Sequence, residues 1–327
     1  MKAVYFRSFG GTEEIEIRDV SEPPKPTGSQ ATITVTAAAL NRADLLQRRG
    51  LYPPPSGYSP NIPGLEFAGV IEELGPEAQG VLPGDRVFGI TAGEAQAEKV
   101  SVDARLLMKI PEDLSFVEAA AIPEAFITAH DAVISQGELK NGETLLVHAV
   151  GSGVGLAAVQ IARSIGARVI GTSRTAAKLE RARPFGLDDA VLAGEGAGFA
   201  SVLRSKNGGG ADVVLDLVGG GYFRENLECL SPRGRLLLVG LTSGRKAEFD
   251  LGIAISRRLR IIGTNLRSRS IEEKAEATKR LAHDVLPLIA NGTIKPNLDR
   301  VFELEAVREA HEYVESDMNF GKVVLRL

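Results

Sequence analysis

Between about residues 124 and 290 this 327-residue sequence alternates short apolar strands with helices, and that rhythm limits the folds open to it more than any other feature. The strands read as TLLVHA (144–149), RVIGTS (168–173), DAVLA (189–193), DVVLDLVG (212–219), GRLLLVG (234–240) and LRIIGTN (259–265). Helices fall at GVGLAAVQIARSIG (153–166), TAAKLERARPFG (175–186), near 197–206 and near 222–230. Strands this uniformly apolar have no wet face, so both faces need covering, which specifies an α/β architecture with a doubly wound parallel sheet. IEEKAEATKRLAHDVLPLIANG (271–292) reads as a long helix closing the region.

The first strand and first helix are joined by HAVGSGVGLAA (148–158), the position at which a dinucleotide pyrophosphate meets the helix N-terminal N–H groups. Ser152, Gly153, Val154 and Gly155 are its candidate phosphate contacts, while Ala157 and Ala158 permit close helix–strand packing. Ser152 stands where the tight-turn glycine would be, so the strict G-x-G-x-x-G spacing fails, and its hydroxyl is placed to cap the helix or meet the cofactor. The second strand ends Gly171–Thr172–Ser173–Arg174 without the carboxylate that binds a ribose 2′-hydroxyl. Ser173, Arg174 and Lys178 suit a 2′-phosphate instead, and the predicted cofactor is NADPH.

Residues 1 to about 120 have a different texture, with strand-like ATITVTAAAL (31–40), EFAGVIEELG (66–75) and GDRVFGIT (84–91) closed by Gly and Pro. They describe an irregular, mostly antiparallel barrel. LYPPPSGYSPNIPG (51–64) holds five prolines and is a loop. A short helix (306–315) and a strand, KVVLRL (322–327), are too little for a domain and are expected to join the first. The predicted boundaries are 1–123 with 291–327 for one domain and 124–290 for the other. A net charge of −4 without a Lys/Arg block gives no nucleic-acid footprint, and no stretch reads as a membrane span. One cysteine, Cys229, excludes a disulfide scaffold and a cysteine-rich metal site, and reads as a buried small hydrophobe. The N-terminus lacks an apolar signal-peptide core, and the expected location is cytoplasmic.

NRADLLQRRGLYPPP (41–55), PGLEFAGVIEELG (63–75), GDRVFG (84–89), AAIPEAFITA (120–129), GSGVGLAAVQIA (151–162) and GKVVL (321–325) together resemble the NADPH:quinone oxidoreductases, the zeta-crystallin-like, zinc-independent branch of the medium-chain dehydrogenase/reductase superfamily. The resemblance implies a GroES-like catalytic domain built from both ends of the chain, a central Rossmann domain, a cofactor between them, and a homodimer through the edge strand LRIIGTN. Zinc-containing members carry C-x-x-D and G-H-E motifs; the matching residues here are Asn41–Arg42–Ala43–Asp44 and Gly64–Leu65–Glu66, which removes two zinc ligands. No metal is expected.

A site without zinc selects its acceptors. Hydride addition to a ketone builds an alkoxide whose conjugate acid has a pKa of ~16, whereas a quinone gives a phenolate-like anion of pKa ~10. Six units amount to about 8 kcal/mol less charge to stabilise. The expected substrate is a small-molecule quinone, with a 2-alkenal or enone double-bond reductase as the alternative and a non-catalytic NADPH-binding protein behind both. By resemblance, Asn41, Asp44 and Tyr52 are catalytic candidates near the nicotinamide, Asp44 as an orienting group and Tyr52 as a hydrogen-bond donor or an anchor of its loop. Asn41, Thr128, Val218, Gly240, Leu241, Leu266, Arg267 and Lys322 complete the candidate cofactor contacts. The family's tyrosine after the third Rossmann strand is missing from VLAGEG (191–196), and His130, His148, His283 and His311 have no ligand spacing and read as structural.

Overall fold

The computed structural model describes residues 1–194, 198–207 and 210–327 and divides into two compact units, Met1–Ile127 with Leu266–Leu327, and Thr128–Asn265. The chain begins with strands β1 (Lys2–Phe6), β2 (Ile15–Asp19) and β3 (Gln30–Leu40), helix α1 (Arg42–Arg48), strands β4 (Glu66–Leu74), β5 (Arg86–Ile90), β6 (Lys99–Asp103) and β7 (Leu107–Lys109), and helices α2 (Phe116–Ala120) and α3 (Pro123–His130). The second unit carries β8 (Thr144–Val147), α4 (Gly153–Ser164), β9 (Arg168–Ser173), α5 (Ala176–Ala182), β10 (Asp189–Leu192), α6 (Phe199–Asn207), β11 (Ala211–Asp216), α7 (Phe223–Cys229), β12 (Leu230–Leu238), α8 (Leu251–Arg257) and β13 (Arg260–Gly263). The chain returns with α9 (Ile271–Asp284), α10 (Leu286–Ala290), β14 (Leu298–Glu303), α11 (Val307–Glu315) and β15 (Lys322–Arg326).

In the first unit one sheet runs β14-β15-β3-β4-β5-β7, with β6 also on β3, and all of its pairs are antiparallel except β14 with β15. The tail strand sets Val323 opposite Leu40, so the expected return of the tail is met. β3 is β-branched where it meets β6 and turns to Ala37, Ala38 and Ala39 further on, all fully buried; the small side chains leave room for α2.

The expected single helix over 271–292 is two helices, and both belong to the first unit rather than the second. Pro287, near the start of α10, has no N–H to continue a helical ladder, and Val285 closes α9 on Leu281 O. Ala277, Leu281, Val285 and Ile289 are buried, and α9 packs on β7 and the turn Ala104–Leu106. Burial of that face decides where the helix belongs.

The second unit is one parallel sheet in the order β10-β9-β8-β11-β12-β13, so the strand sequence reverses between β8 and β11. Open sheets of this kind bind ligands beyond the carboxyl ends of their strands, at the reversal. Leu146, Ile170, Val214 and Leu236 of the four central strands bury against Phe199, Leu203, Leu227 and Cys229, each large apolar side chain contributing about 2 kcal/mol. Cys229 is fully buried, and burial pushes its thiol up to about 12, as suits a small hydrophobe. β13 is the edge strand that LRIIGTN was expected to form. No helix among the described residues is long and apolar enough to cross a membrane.

Candidate functional site

In the first unit the residues singled out by motif meet in a buried polar knot. Gly64 takes φ +110°, and a Cβ there would lie 2.5 Å from Gln96 N, so the bend needs glycine. That bend points Gly64 N–H at Asp44 Oδ1 (2.9 Å), while Asp44 Oδ2 accepts Asn41 N–H (2.7 Å) at the start of α1. Asp44 is fully buried, and burial lifts its carboxyl to about 6 against the pull of those two N–H groups. Its two oxygens thus tie the start of α1 to the Gly64 bend.

Asn41 is held at both ends of its amide. Nδ2 donates to Glu66 Oε1 (2.9 Å), and Oδ1 accepts from Lys322 Nζ (2.7 Å). Lys322 also donates to Leu40 O (2.8 Å) and pairs with Glu66 Oε1 (2.6 Å), so its three N–H groups meet three acceptors inside this unit. Glu66 Oε2 accepts the N–H of Glu124 (2.8 Å). Burial, and next the Glu66 carboxylate, push the Glu124 carboxyl up to about 8, against Lys322 and Lys274.

Leu266 and Arg267, placed by sequence at the end of the sixth Rossmann strand, belong to the first unit and are buried there. Arg267 donates to Ala92 O (2.8 Å), Tyr52 O (3.1 Å) and Gln47 Oε1, and its guanidinium lies 5.1 Å from the centre of the Tyr52 ring. Tyr52 is thus anchored through its backbone and ring face.

The second unit carries the other candidates, most of them just beyond the carboxyl ends of its strands. Ser152 is the N-cap of α4, its Oγ accepting Gly155 N–H (3.0 Å), which is the capping role the sequence left open. A Cβ on Gly155 would come within 2.8 Å of Ala149 O and Val150 O, so this glycine serves helix–turn packing. Gly153 and Val154 open the helix between them. Ser173 ends β9 and its Oγ accepts Thr175 N–H (3.2 Å); Arg174 is exposed and Lys178 half-buried one turn into α5. Val218 follows β11 and donates its N–H to Asp216, whereas Gly240 and Leu241 follow β12. Thr128 is half-buried within α3. In VLAGEG (191–196), Glu195 and Gly196 lie outside the described residues, but the Tyr222 hydroxyl donates to Ala193 O and Gly194 O there (3.1 and 3.2 Å).

Sequence reasoning passed over Glu124, Gln47, Asp216 and Asn226. PEAF and DLVG contain the two acids, one in each unit, but nothing in a linear motif announces which carboxylates the fold withdraws from water.

Two family models match the chain, an alcohol dehydrogenase GroES-like domain over residues 27–112 and a zinc-binding dehydrogenase over 153–283. A quinone oxidoreductase of Pseudomonas aeruginosa is 31% identical over 325 residues, 99% of each chain. The pikromycin polyketide synthase component PikAII of Streptomyces venezuelae is 35% identical over 308 residues; these are 93% of this chain but 8% of that much longer protein. The crystal structure of Escherichia coli quinone oxidoreductase complexed with NADPH superposes with a TM-score of 0.89 at 29% identity, covering all of both chains.

Proposed function

Because the chain belongs to the quinone oxidoreductase family of the medium-chain dehydrogenase/reductase superfamily, we propose that it transfers hydride from NADPH to a quinone without a metal ion. The observation that carries this reading is the Lys322–Glu66–Asn41 knot. Zinc takes thiolate, imidazole or carboxylate ligands. Here Asn41 and Leu65 fill two of the ligand positions, and the neighbouring carboxylate, Glu66, already has an ammonium at 2.6 Å. A dication beside that ammonium would meet like charge, so the donor set does not fit zinc. The acceptor must then carry its own negative charge, as a hydroquinone anion does.

NADPH supplies the hydride when bound; the chain binds and orients it. The start of α4, Ser152–Gly155, suits the pyrophosphate, and Ser173, Arg174 and Lys178 suit the 2′-phosphate, with no carboxylate at the end of β9 to repel it. Thr128, Val218, Gly240 and Leu241 of the second unit are assigned to the nicotinamide end, and Asn41, Asp44, Leu266 and Arg267 are the first unit's candidates for the same cofactor. Lys322 acts by aiming the Asn41 amide, and the Tyr52 hydroxyl donates to the acceptor oxygen.

Steady-state kinetics with NADPH and NADH against 1,4-benzoquinone, 9,10-phenanthrenequinone and a 2-alkenal test the reading. NADPH with the quinones should give the highest kcat/KM; an alkenal preference of about a hundredfold would instead make the chain a double-bond reductase.

We also propose a homodimer. β13 presents an open edge with Ile261 40% exposed, and Leu251 and Ile255 of α8 are 65% and 76% exposed. An unpaired apolar edge beside apolar side chains suits a second copy. Light scattering at micromolar concentration should give twice the chain mass.

A further inference from the structure

A buried chain of polar groups runs beneath the second unit's turns. Thr172 Oγ1 lies 2.8 Å from His148 Nδ1, and His148 Nε2 lies 2.6 Å from Asn226 Oδ1. Asn226 Nδ2 donates to Asp216 Oδ2 (3.0 Å), and Asp216 Oδ1 accepts the N–H groups of Val218 (2.8 Å) and Gly219 (2.9 Å). His148, Asn226 and Asp216 are fully buried.

Donor and acceptor chemistry gives the chain one direction. A carboxylate only accepts, so Asn226 turns its NH2 to Asp216 and its carbonyl oxygen to His148. Nε2 must then carry the imidazole proton, and Nδ1 accepts from the Thr172 hydroxyl. Burial keeps the ring neutral, drawing its pKa down to about 4, so one tautomer satisfies both contacts. The order is Thr172 to His148 to Asn226 to Asp216.

The chain touches every turn expected to meet the dinucleotide in this unit. His148 precedes Ala149, which sits at φ +47°, a left-handed conformation that costs a non-glycine residue and needs outside support. Thr172 is next to Ser173, and its carbonyl accepts Val150 N–H (3.0 Å). Asp216 shapes the turn holding Val218, and its carbonyl accepts the N–H groups of Val239 (2.9 Å) and Gly240 (3.1 Å) beyond β12. Tyr222 stands edge-on to the His148 ring, 4.9 Å between centres.

We propose that His148, Asn226 and Asp216 are positioning residues for the dinucleotide, their directed hydrogen-bond chain setting the turns after β8, β9, β11 and β12 in mutual register. This rests on the reading of the second unit as the NADPH-binding unit.

The variant D216N tests it, because it sets an NH2 group where only an acceptor stood. Relief requires the Asn226 amide to flip and the His148 proton to move from Nε2 to Nδ1. Long-range 1H–15N correlation spectra of the free protein should show the Nε2–H tautomer in the wild type and the Nδ1–H tautomer in D216N. NADPH titrated by nucleotide fluorescence should bind D216N about tenfold more weakly. T172V removes only the first donor and is the milder test should D216N fold poorly; it should weaken binding about threefold. Wild type in the Nδ1–H tautomer, or both variants binding within about twofold of wild type, would overturn the inference alone. A wild-type chain that binds neither NADPH nor NADH would overturn the cofactor reading, and the inference with it.

Discussion

Lys322 Nζ and Glu66 Oε1 stand 2.6 Å apart, joining the first residue of the last strand to the first residue of β4 with both side chains withdrawn from water. Stripping two charges of solvent is expensive, and the pair is tolerated because Leu40 O, both ends of the Asn41 amide and Glu124 N–H fill the remaining hydrogen-bond capacity. Such a pair adds little to stability by itself, yet losing one member strands the other.

K322M should therefore lower the unfolding free energy by about 3–5 kcal/mol, leaving Glu66 charged and buried. The double variant K322M/E66Q removes both charges and should be the more stable of the two by more than ~1 kcal/mol, as measured by urea denaturation. A double variant no more stable than K322M would show that the lysine acts through packing alone.

Glu124 gives a pH dependence of definite sign. Its folded value of about 8 lies above the ordinary 4.5, so the folded chain holds the proton more tightly than the unfolded one. Its contribution to stability is whole below about pH 4.5 and lost as pH rises through about 8. E124Q keeps a neutral group at all pH values, so its fall in Tm between pH 6 and pH 9 should be smaller than that of the wild type.

Cofactor choice is tested just beyond β9, at the exposed Arg174 and at Lys178 in α5. R174A/K178A should reduce kcat/KM for NADPH by about tenfold or more, the loss expected for two partners of one phosphate. The value for NADH, which has no 2′-phosphate, should hold. An equal loss for both would mean these side chains only solvate α5.

Ser152 separates helix capping from cofactor contact. S152A deprives Gly155 N–H of its acceptor and should cost about 1 kcal/mol of stability in the free protein, which S152T should largely recover. Any weakening of NADPH binding beyond that change reports a contact of the hydroxyl with the nucleotide.

The second unit's sheet was readable because a parallel strand buried on both faces writes an unbroken apolar run, and six such runs punctuated by helices leave few topologies. The helix over 271–292 shows where that reading stops. Its apolar stripe announces a buried face but not which neighbour buries it, and Leu281 packs into the first unit. β14, α1 and α8 were missed as elements: LDRVFE alternates weakly, and α1 and α8 are each only seven residues long. At the site, Asn41, Asp44 and Lys322 lie in recognisable motifs, yet that Lys322 turns inward to Glu66 depends on β15 pairing with β3, across some 280 residues of sequence. His148 reads as structural from its lack of ligand spacing, but its partners Asn226 and Asp216 are distant in the sequence and carry no pattern of their own.

The second unit is one uninterrupted segment, Thr128–Asn265, whereas the first is completed by strands on either side of it, with β15 seated on β3. During synthesis the interior segment can collapse as soon as it leaves the ribosome, while the Ala37–Leu40 end of β3, beyond the part paired with β6, waits with one edge bare until residue 322 emerges. Nascent chains of this protein should accordingly need shelter at that end of the strand, and chaperone crosslinking to residues 37–40 should fade only when translation reaches the last strand, whereas that to residues 30–34 should fade once β6 is made.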